Sequence, residues 1–165
     1  MPLLHLFVIA MLLLCQTSLS YSQTSRTEPL TRNDKLYMSE QRERVDDLIR
    51  RHFGSQLNGQ KNNDIAQMQR LLNENIVGRN DIVLLQAMGI VLGELIKSEH
   101  RLSWIIYIDQ YGRSRALQIP GQRDVLFPNT MISRRVATGA DVEINVIYNK
   151  ATEELNRIRQ QIIVY

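Results

Sequence analysis

The 165-residue chain has few of the residues that build thiol and metal sites. It contains one cysteine, Cys15, and three histidines, and the histidines show no HxxxH or HExxH spacing that would place two imidazoles beside a metal ion. A glycine-rich phosphate loop and a GxSxG nucleophile elbow are also absent. These absences argue against metal enzymes, nucleotide-binding enzymes and serine hydrolases, and they predict no metal and no cofactor.

Charge is missing from the amino-terminal end. Residues 1–20 contain no Lys, Arg, Asp or Glu, and the run from Leu3 to Cys15 is apolar except for His5. This run is too short to span a bilayer as a helix, which takes roughly 20 residues, but it suits the apolar region of a secretory signal. We therefore predict a signal peptide over residues 1–22, cleaved near Ser20 to Ser22, and a periplasmic or secreted protein. An uncleaved anchor is the alternative. Cleavage would leave a mature chain without a thiol or disulfide.

The rest of the chain predicts one α+β domain over residues 39–165, preceded by a flexible polar leader over residues 23–38. In its helical amino-terminal half, Ser39 is expected to cap a helix that ends before Gly54, and a second helix begins near Asp64. A third helix, capped near Asp81, is apolar on nearly every face, which is typical of a central helix. Two glycines within it, Gly89 and Gly93, would let another element approach closely.

The second half predicts strands and a closing helix. Residues 102–108, 113–119 and 125–127 favour a three-stranded antiparallel meander with turns at residues 109–112 and at Pro120. Thr130 is expected to cap a short helix, and Asp141 the last one. The last helix carries a narrow apolar stripe, which could pack on the sheet or form a homodimer with a second copy.

Arginine is the most unusual feature of the composition, since 16 of the 20 basic residues are Arg. A net charge of +3 and an isoelectric point near 9.2 are too mild for a dedicated nucleic-acid-binding protein. The densest cluster lies in the meander and the turn after it and comprises Arg113, Arg115, Arg123, Arg134 and Arg135. It predicts a surface for an anion or an acidic partner. The alternative is solvated charge paired with Asp109, Asp124 and Glu99.

One string of residues resembles a known family. Trp104-Ile-Ile-Tyr-Ile-Asp109, a Gln-Tyr-Gly-Arg turn, an Ala-Leu strand, a Pro-Gly turn and Phe127-Pro-Asn-Thr-Met-Ile-Ser-Arg-Arg135 are similar to the central motif of a bacterial family described only as a domain of unknown function, DUF3806. The similarity extends back to Leu92-Gly93-Glu94 and covers about residues 64–160. It implies an α+β domain without an established activity.

The resemblance directs attention to two groups of residues. Fold-forming roles in turns, caps and the core suit Trp104, Gly112, Pro120, Phe127, Pro128 and Thr130. Candidates for a binding surface are Asp109, Tyr111, Arg113, Ser133 and Arg135.

These observations predict a non-enzymatic module that binds a protein partner in the cell envelope, such as an envelope enzyme or a toxin, through the arginine-rich hairpin. The alternative is an envelope hydrolase or a small-ligand-binding domain that uses Asp109, Glu94 or Glu99 as acid or base. The first hypothesis needs an exposed patch, whereas the hydrolase needs a cleft where carboxylates converge.

Overall fold

The structure is a computed structural model that describes residues 25–162, with side chains to Gln160. The predicted signal peptide lies outside the described residues. The elements in chain order are β1 (Arg26–Pro29), α1 (Arg32–Phe53), α2 (Lys61–Asn73), α3 (Ile82–His100), β2 (Ser103–Asp109), β3 (Gly112–Gln118), β4 (Val125–Leu126), α4 (Pro128–Ala137) and α5 (Ile144–Ile162).

The described residues form an antiparallel sheet in the order β1-β2-β3-β4 together with five helices. The α+β class is therefore confirmed. The expected number of three strands is wrong, because β1 pairs with β2 from Arg26 opposite Ile108 to Pro29 opposite Ile105. β1 is an edge strand with every residue exposed, so its sequence lacks the alternation of apolar and polar residues that would have predicted a strand.

Residues 26–38 do not form the flexible leader that their polarity suggested. After β1, helix α1 begins at Arg32 because Thr31 and Asp34 build a capping box. The Thr31 hydroxyl accepts a hydrogen bond from the Asp34 backbone N–H, and the Asp34 carboxylate accepts one from the Thr31 N–H. Ser39, the expected cap, lies inside the helix.

Helix α3 is the central helix, as its hydropathy predicted, and the Asp81 carboxylate caps it by accepting a hydrogen bond from the Leu84 N–H. Its glycines allow the close approach that the sequence suggested. A Cβ at Gly89 would lie 2.5 Å from the Pro128 carbonyl oxygen, and one at Gly93 would lie 2.5 Å from Cζ2 of Trp104. Helix α4 and the Trp104 ring therefore pack directly on the α3 backbone.

Helices α4 and α5 begin at residues other than the expected caps. Pro128 starts α4 in its first turn, where a missing N–H costs nothing, so Thr130 is inside this helix. Helix α5 starts at Ile144, three residues after Asp141. Its stripe is buried within the chain against α2, α3 and α4 through Ile144, Tyr148, Ala151 and Leu155. These four side chains are therefore not exposed for pairing with a second copy.

No helix in the described part of the chain is long and apolar enough to cross a bilayer.

Candidate functional site

The tip of the β2–β3 hairpin contains two of the predicted binding residues. The Asp109 carboxylate accepts a hydrogen bond from the Tyr111 backbone N–H at 2.8 Å, and Gly112 supplies the positive φ of 119° that the turn requires. Asp109 is thus a turn-forming residue. The Tyr111 side chain projects from the tip and is 88% exposed.

Arg113, one of the predicted binding residues, forms an ion pair with helix α1 although its side chain is 43% exposed. Its Nη1 and Nη2 donate to the two carboxylate oxygens of Asp34 at 2.8 and 2.5 Å. The Arg115 Nη2 donates to the same carboxylate at 2.9 Å, and its guanidinium lies 4.1 Å from the centre of the Tyr37 ring. Both arginines therefore contact α1 through the single carboxylate of Asp34.

Asp34 is the buried centre of this ion-pair cluster and is only 2% exposed. Its carboxylate also accepts hydrogen bonds from the Thr31 N–H at 3.0 Å and the Thr31 hydroxyl at 2.6 Å. Hydrogen bonding to Arg113 first, and then to Thr31, holds the pKa of Asp34 well below its usual range despite burial. The sequence interpretation missed Asp34 because the residue lies in the stretch assigned to the leader. The Thr-x-x-Asp spacing before a helix was the signal that could have identified it.

The two remaining candidates lie on α4. Ser133 is buried, and its hydroxyl donates to the Thr130 carbonyl at 3.3 Å, so it belongs to the helix rather than to a surface. Arg135 is half-buried and lines a groove beside α5. Of the five predicted binding residues, Ser133 is buried, Asp109 and Arg135 are half-buried, and Tyr111 and Arg113 are exposed.

A cleft that the sequence did not predict lies between α1, α3 and the start of β2. Its volume is about 480 Å³, and its lining residues are Leu30, Lys35, Met38, Ser39, Arg42, Ile90, Glu94, Lys97, Leu102, Ser103 and Trp104. Buried apolar side chains form its floor, with Trp104 as the largest of them. We call it the Trp104 cleft.

One carboxylate is held in a defined position in the Trp104 cleft. Glu94 Oε1 accepts a hydrogen bond from the Trp104 indole Nε1 at 2.6 Å, and Oε2 accepts one from Lys97 Nζ at 3.0 Å. These contacts hold both the Glu94 carboxylate and the Trp104 ring of the floor in place. A carboxylate offers about four acceptor sites, so Glu94 keeps capacity for a further donor.

The charge lining the cleft is positive overall. Lys35 and Arg42 from α1 and Lys97 from α3 stand against the single carboxylate of Glu94, which leaves an excess of two positive charges. Among the described residues, no carboxylate lies within 4 Å of Lys35 or Arg42 as an ion-pair partner. The arrangement can therefore attract an anionic group to an apolar floor.

The three acids considered for catalysis lie in different places. Glu94 lines the Trp104 cleft, Asp109 closes the hairpin turn, and Glu99 lines a separate cavity of about 360 Å³ beside His100 and Arg159. Glu99 accepts a hydrogen bond from the Tyr148 hydroxyl at 2.5 Å, and this bond is the main reason why the pKa of Glu99 is lowered. Over residues 25–160 no three His, Cys, Asp or Glu side chains are grouped so that they could hold a metal ion.

Comparisons with known proteins bear on the family and the fold. A crystal structure of a protein from Bacteroides thetaiotaomicron VPI-5482 is similar with a TM-score of 0.72 at 16% identity. The alignment covers 82% of this chain and 50% of the other, so the chain spans about half of that protein's length, and at this identity the likeness shows the fold alone. No curated protein matches the chain.

The family model described as Domain of unknown function (DUF3806) matches residues 64–148, which is just over half of the 165 residues. The match includes α3 and β2 and therefore one side of the Trp104 cleft, whereas the α1 side precedes it. The resemblance seen in the sequence is confirmed, and the chain belongs to the DUF3806 family.

Proposed function

We propose that this protein is a non-enzymatic binding module whose Trp104 cleft takes a small amphiphile with an anionic head group. The observation that carries the proposal is the apolar floor of the cleft beneath an excess of two positive charges. The volume of about 480 Å³ lies within the range of roughly 300–1,000 Å³ typical of small-ligand sites.

Each part of the cleft has a physical role in this proposal. The floor of Met38, Ile90 and Trp104 removes an apolar body from water, which contributes about 25 cal/mol for each Å² buried. Lys35 and Arg42 attract the anionic head. The Arg42 Nη2 donates to the Leu57 carbonyl at 3.4 Å, and its remaining N–H groups can donate to a carboxylate or phosphate.

Glu94 supports binding rather than acid–base chemistry in this scheme. Its two oxygens already accept hydrogen bonds from Trp104 and Lys97, which hold the carboxylate in place. A hydrolase with two carboxylates would need a second acid beside it, and both Asp109 and Glu99 belong to other parts of the fold. The remaining acceptor sites of Glu94 suit a hydroxyl or N–H group on the ligand.

Trp104 makes the proposal directly testable because it is the single tryptophan of the chain. Its fluorescence can be titrated with dodecanoate and with dodecyltrimethylammonium, which share the apolar body and differ in head-group charge. We expect saturable binding of dodecanoate, with an affinity about tenfold or more above that of the cation, equivalent to roughly 1.4 kcal/mol.

A matched pair of variants assigns the charge preference to the cleft. Lys35→Gln with Arg42→Gln should remove the preference for dodecanoate. Arg44→Gln with Arg51→Gln, on exposed positions of the same helix, lowers the net charge equally and should retain it. Equal binding of the two amphiphiles, or equal loss in both variants, would contradict the proposal.

We make a separate proposal about where the protein is located, based on the apolar run from Leu3 to Cys15. We propose export, with removal of residues 1–22. Mass spectrometry of the protein purified from the producing cells should give a mature chain that starts after Ser20 or Ser22. A chain that still starts at Met1 would contradict the cleaved signal.

A further inference from the structure

A second concave surface lies between α4 and α5, and its charge is independent of the Trp104 cleft. It has a volume of about 470 Å³ and is lined by Leu126, Met131, Arg134, Arg135, Thr138, Ile147, Lys150, Ala151 and Glu154. We call it the α4–α5 groove. Its buried floor includes Leu126, Ile147 and Ala151.

Three cations border this apolar floor, with Arg134 and Arg135 on α4 and Lys150 on α5. None of the three forms an ion pair with another described residue. The one acid in the lining, Glu154, is bonded to Arg157, whose Nη2 lies 2.5 and 2.6 Å from its two oxygens. The groove therefore carries positive charge that no acid among the described residues neutralises through an ion pair.

We infer that the α4–α5 groove docks an acidic amphipathic segment of a partner protein. Apolar side chains of the segment would cover the floor, and its carboxylates would pair with Arg134, Arg135 and Lys150. Apolar anchors at i, i+3, i+4 and i+7 on a helix fit a groove between two helices. The α5 wall from Ile147 to Glu154 is about 10 Å long at 1.5 Å per residue, which matches about two turns of a partner helix.

This inference does not depend on a ligand in the Trp104 cleft, and it places the acidic-partner surface away from the hairpin arginines that bind Asp34. Arginine is enriched at sites that dominate binding energy in protein interfaces. Arg135 is a good candidate for such a residue because it is half-buried, so part of its side chain already packs against the fold.

Fluorescence anisotropy with defined peptides tests the inference. The probe is a labelled 14-residue helical peptide with Leu at i, i+3, i+4 and i+7 and Glu at its polar positions, and its control is the twin with Gln in place of Glu. We expect the Glu peptide to bind about tenfold or more tighter than the Gln twin, with an affinity that falls as salt rises.

Charge-reversal variants locate the binding surface. Arg134→Glu with Arg135→Glu should abolish binding. Lys150→Glu, on the opposite wall, should weaken binding, and it tests the same surface if the double variant does not fold. Arg44→Glu with Arg51→Glu changes the net charge equally on α1 and should leave binding unchanged. Equal affinity of the two peptides, equal losses in groove and control variants, or a dimer in sedimentation that Lys150→Glu dissociates would overturn the inference.

Discussion

Asp34 and Arg113 form a bidentate ion pair across 79 positions of the chain, with N–O distances of 2.8 and 2.5 Å. The pair joins the first turn of α1 to the β2–β3 hairpin. The same helix supplies Lys35, Met38, Ser39 and Arg42 to the Trp104 cleft. Arg113, which the sequence suggested as part of a binding surface, thus holds the helix that forms one wall of the Trp104 cleft.

Removal of the Asp34 charge should destabilise the fold. Asp34→Asn leaves two guanidinium groups without their anion and weakens the α1 cap. Breaking a buried pair costs about 3–5 kcal/mol, and because Arg113 keeps partial access to water we expect a loss of about 2–3 kcal/mol in the free energy of unfolding. Urea denaturation measures it. Asp47→Asn, an exposed acid on the same helix, should change stability by less than about 0.5 kcal/mol.

The same pair predicts how stability depends on pH. The pKa of Asp34 is lowered in the folded protein, mainly by Arg113. Its contribution is therefore fully present above the pKa of an unfolded Asp, about 3.9, and is lost as the pH falls below that value. Urea denaturation at a series of pH values between about 6 and 2 should show a smaller acid-induced loss for Asp34→Asn than for the parent. Identical slopes would contradict the assignment.

Close packing on α3 predicts that Gly89→Ala destabilises the fold, whereas Gly78→Ala, in the loop before α3, does not. Gly89→Ala places a methyl group 2.5 Å from the Pro128 carbonyl oxygen and 2.7 Å from that of Asn129, and backbone atoms cannot rotate away. Overpacking costs about 1–3 kcal/mol and here should exceed the roughly 1 kcal/mol that Ala gains in helix propensity. Gly78→Ala is the control, because no atom lies within 4 Å of its Cβ position. Thermal unfolding should show a lower midpoint for Gly89→Ala alone.

Gly93 links the packing of α3 to the cleft. A Cβ there would lie 2.5 Å from the Trp104 ring, so Gly93→Ala must displace the ring that Glu94 holds. We expect a shifted Trp104 emission maximum and weaker dodecanoate binding. An unchanged emission maximum would show that the ring has not moved.

The Tyr148–Glu99 hydrogen bond predicts a change in one carboxyl group. Because this bond is the largest cause of the lowered pKa of Glu99, Tyr148→Phe should raise that pKa toward its ordinary value. The variant should also lose about 1 kcal/mol of stability, the usual contribution of one hydrogen bond. Carbon-13 NMR titration of the Glu99 carboxyl group measures the pKa. Tyr111→Phe at the exposed hairpin tip should change neither quantity.

The sequence predicted those helices and strands that a short stretch of residues specifies by its own composition and spacing. Helix α3 could be recognised because its residues are apolar on nearly every face, ten of them being buried in the structure, and because Asp81 stands at its start. The β2–β3 hairpin could be recognised from β-branched and aromatic runs around Asp109 and Gly112. Strand β1 could not, because its four exposed residues join the sheet through backbone hydrogen bonds, which leave no hydropathy pattern.

The candidate sites divide in the same way. The arginine cluster, the DUF3806 motif and the central apolar helix are readable along the chain, because residue type and spacing express them directly. Which arginines are paired is decided only by tertiary structure. Asp34 reaches Arg113 and Arg115 from a distant segment. Arg134 and Arg135 form no ion pair with another described residue. The Trp104 cleft likewise exists only where α1 meets α3 and β2. Its charge and its apolar floor come from segments far apart in the sequence, and folding alone brings them together.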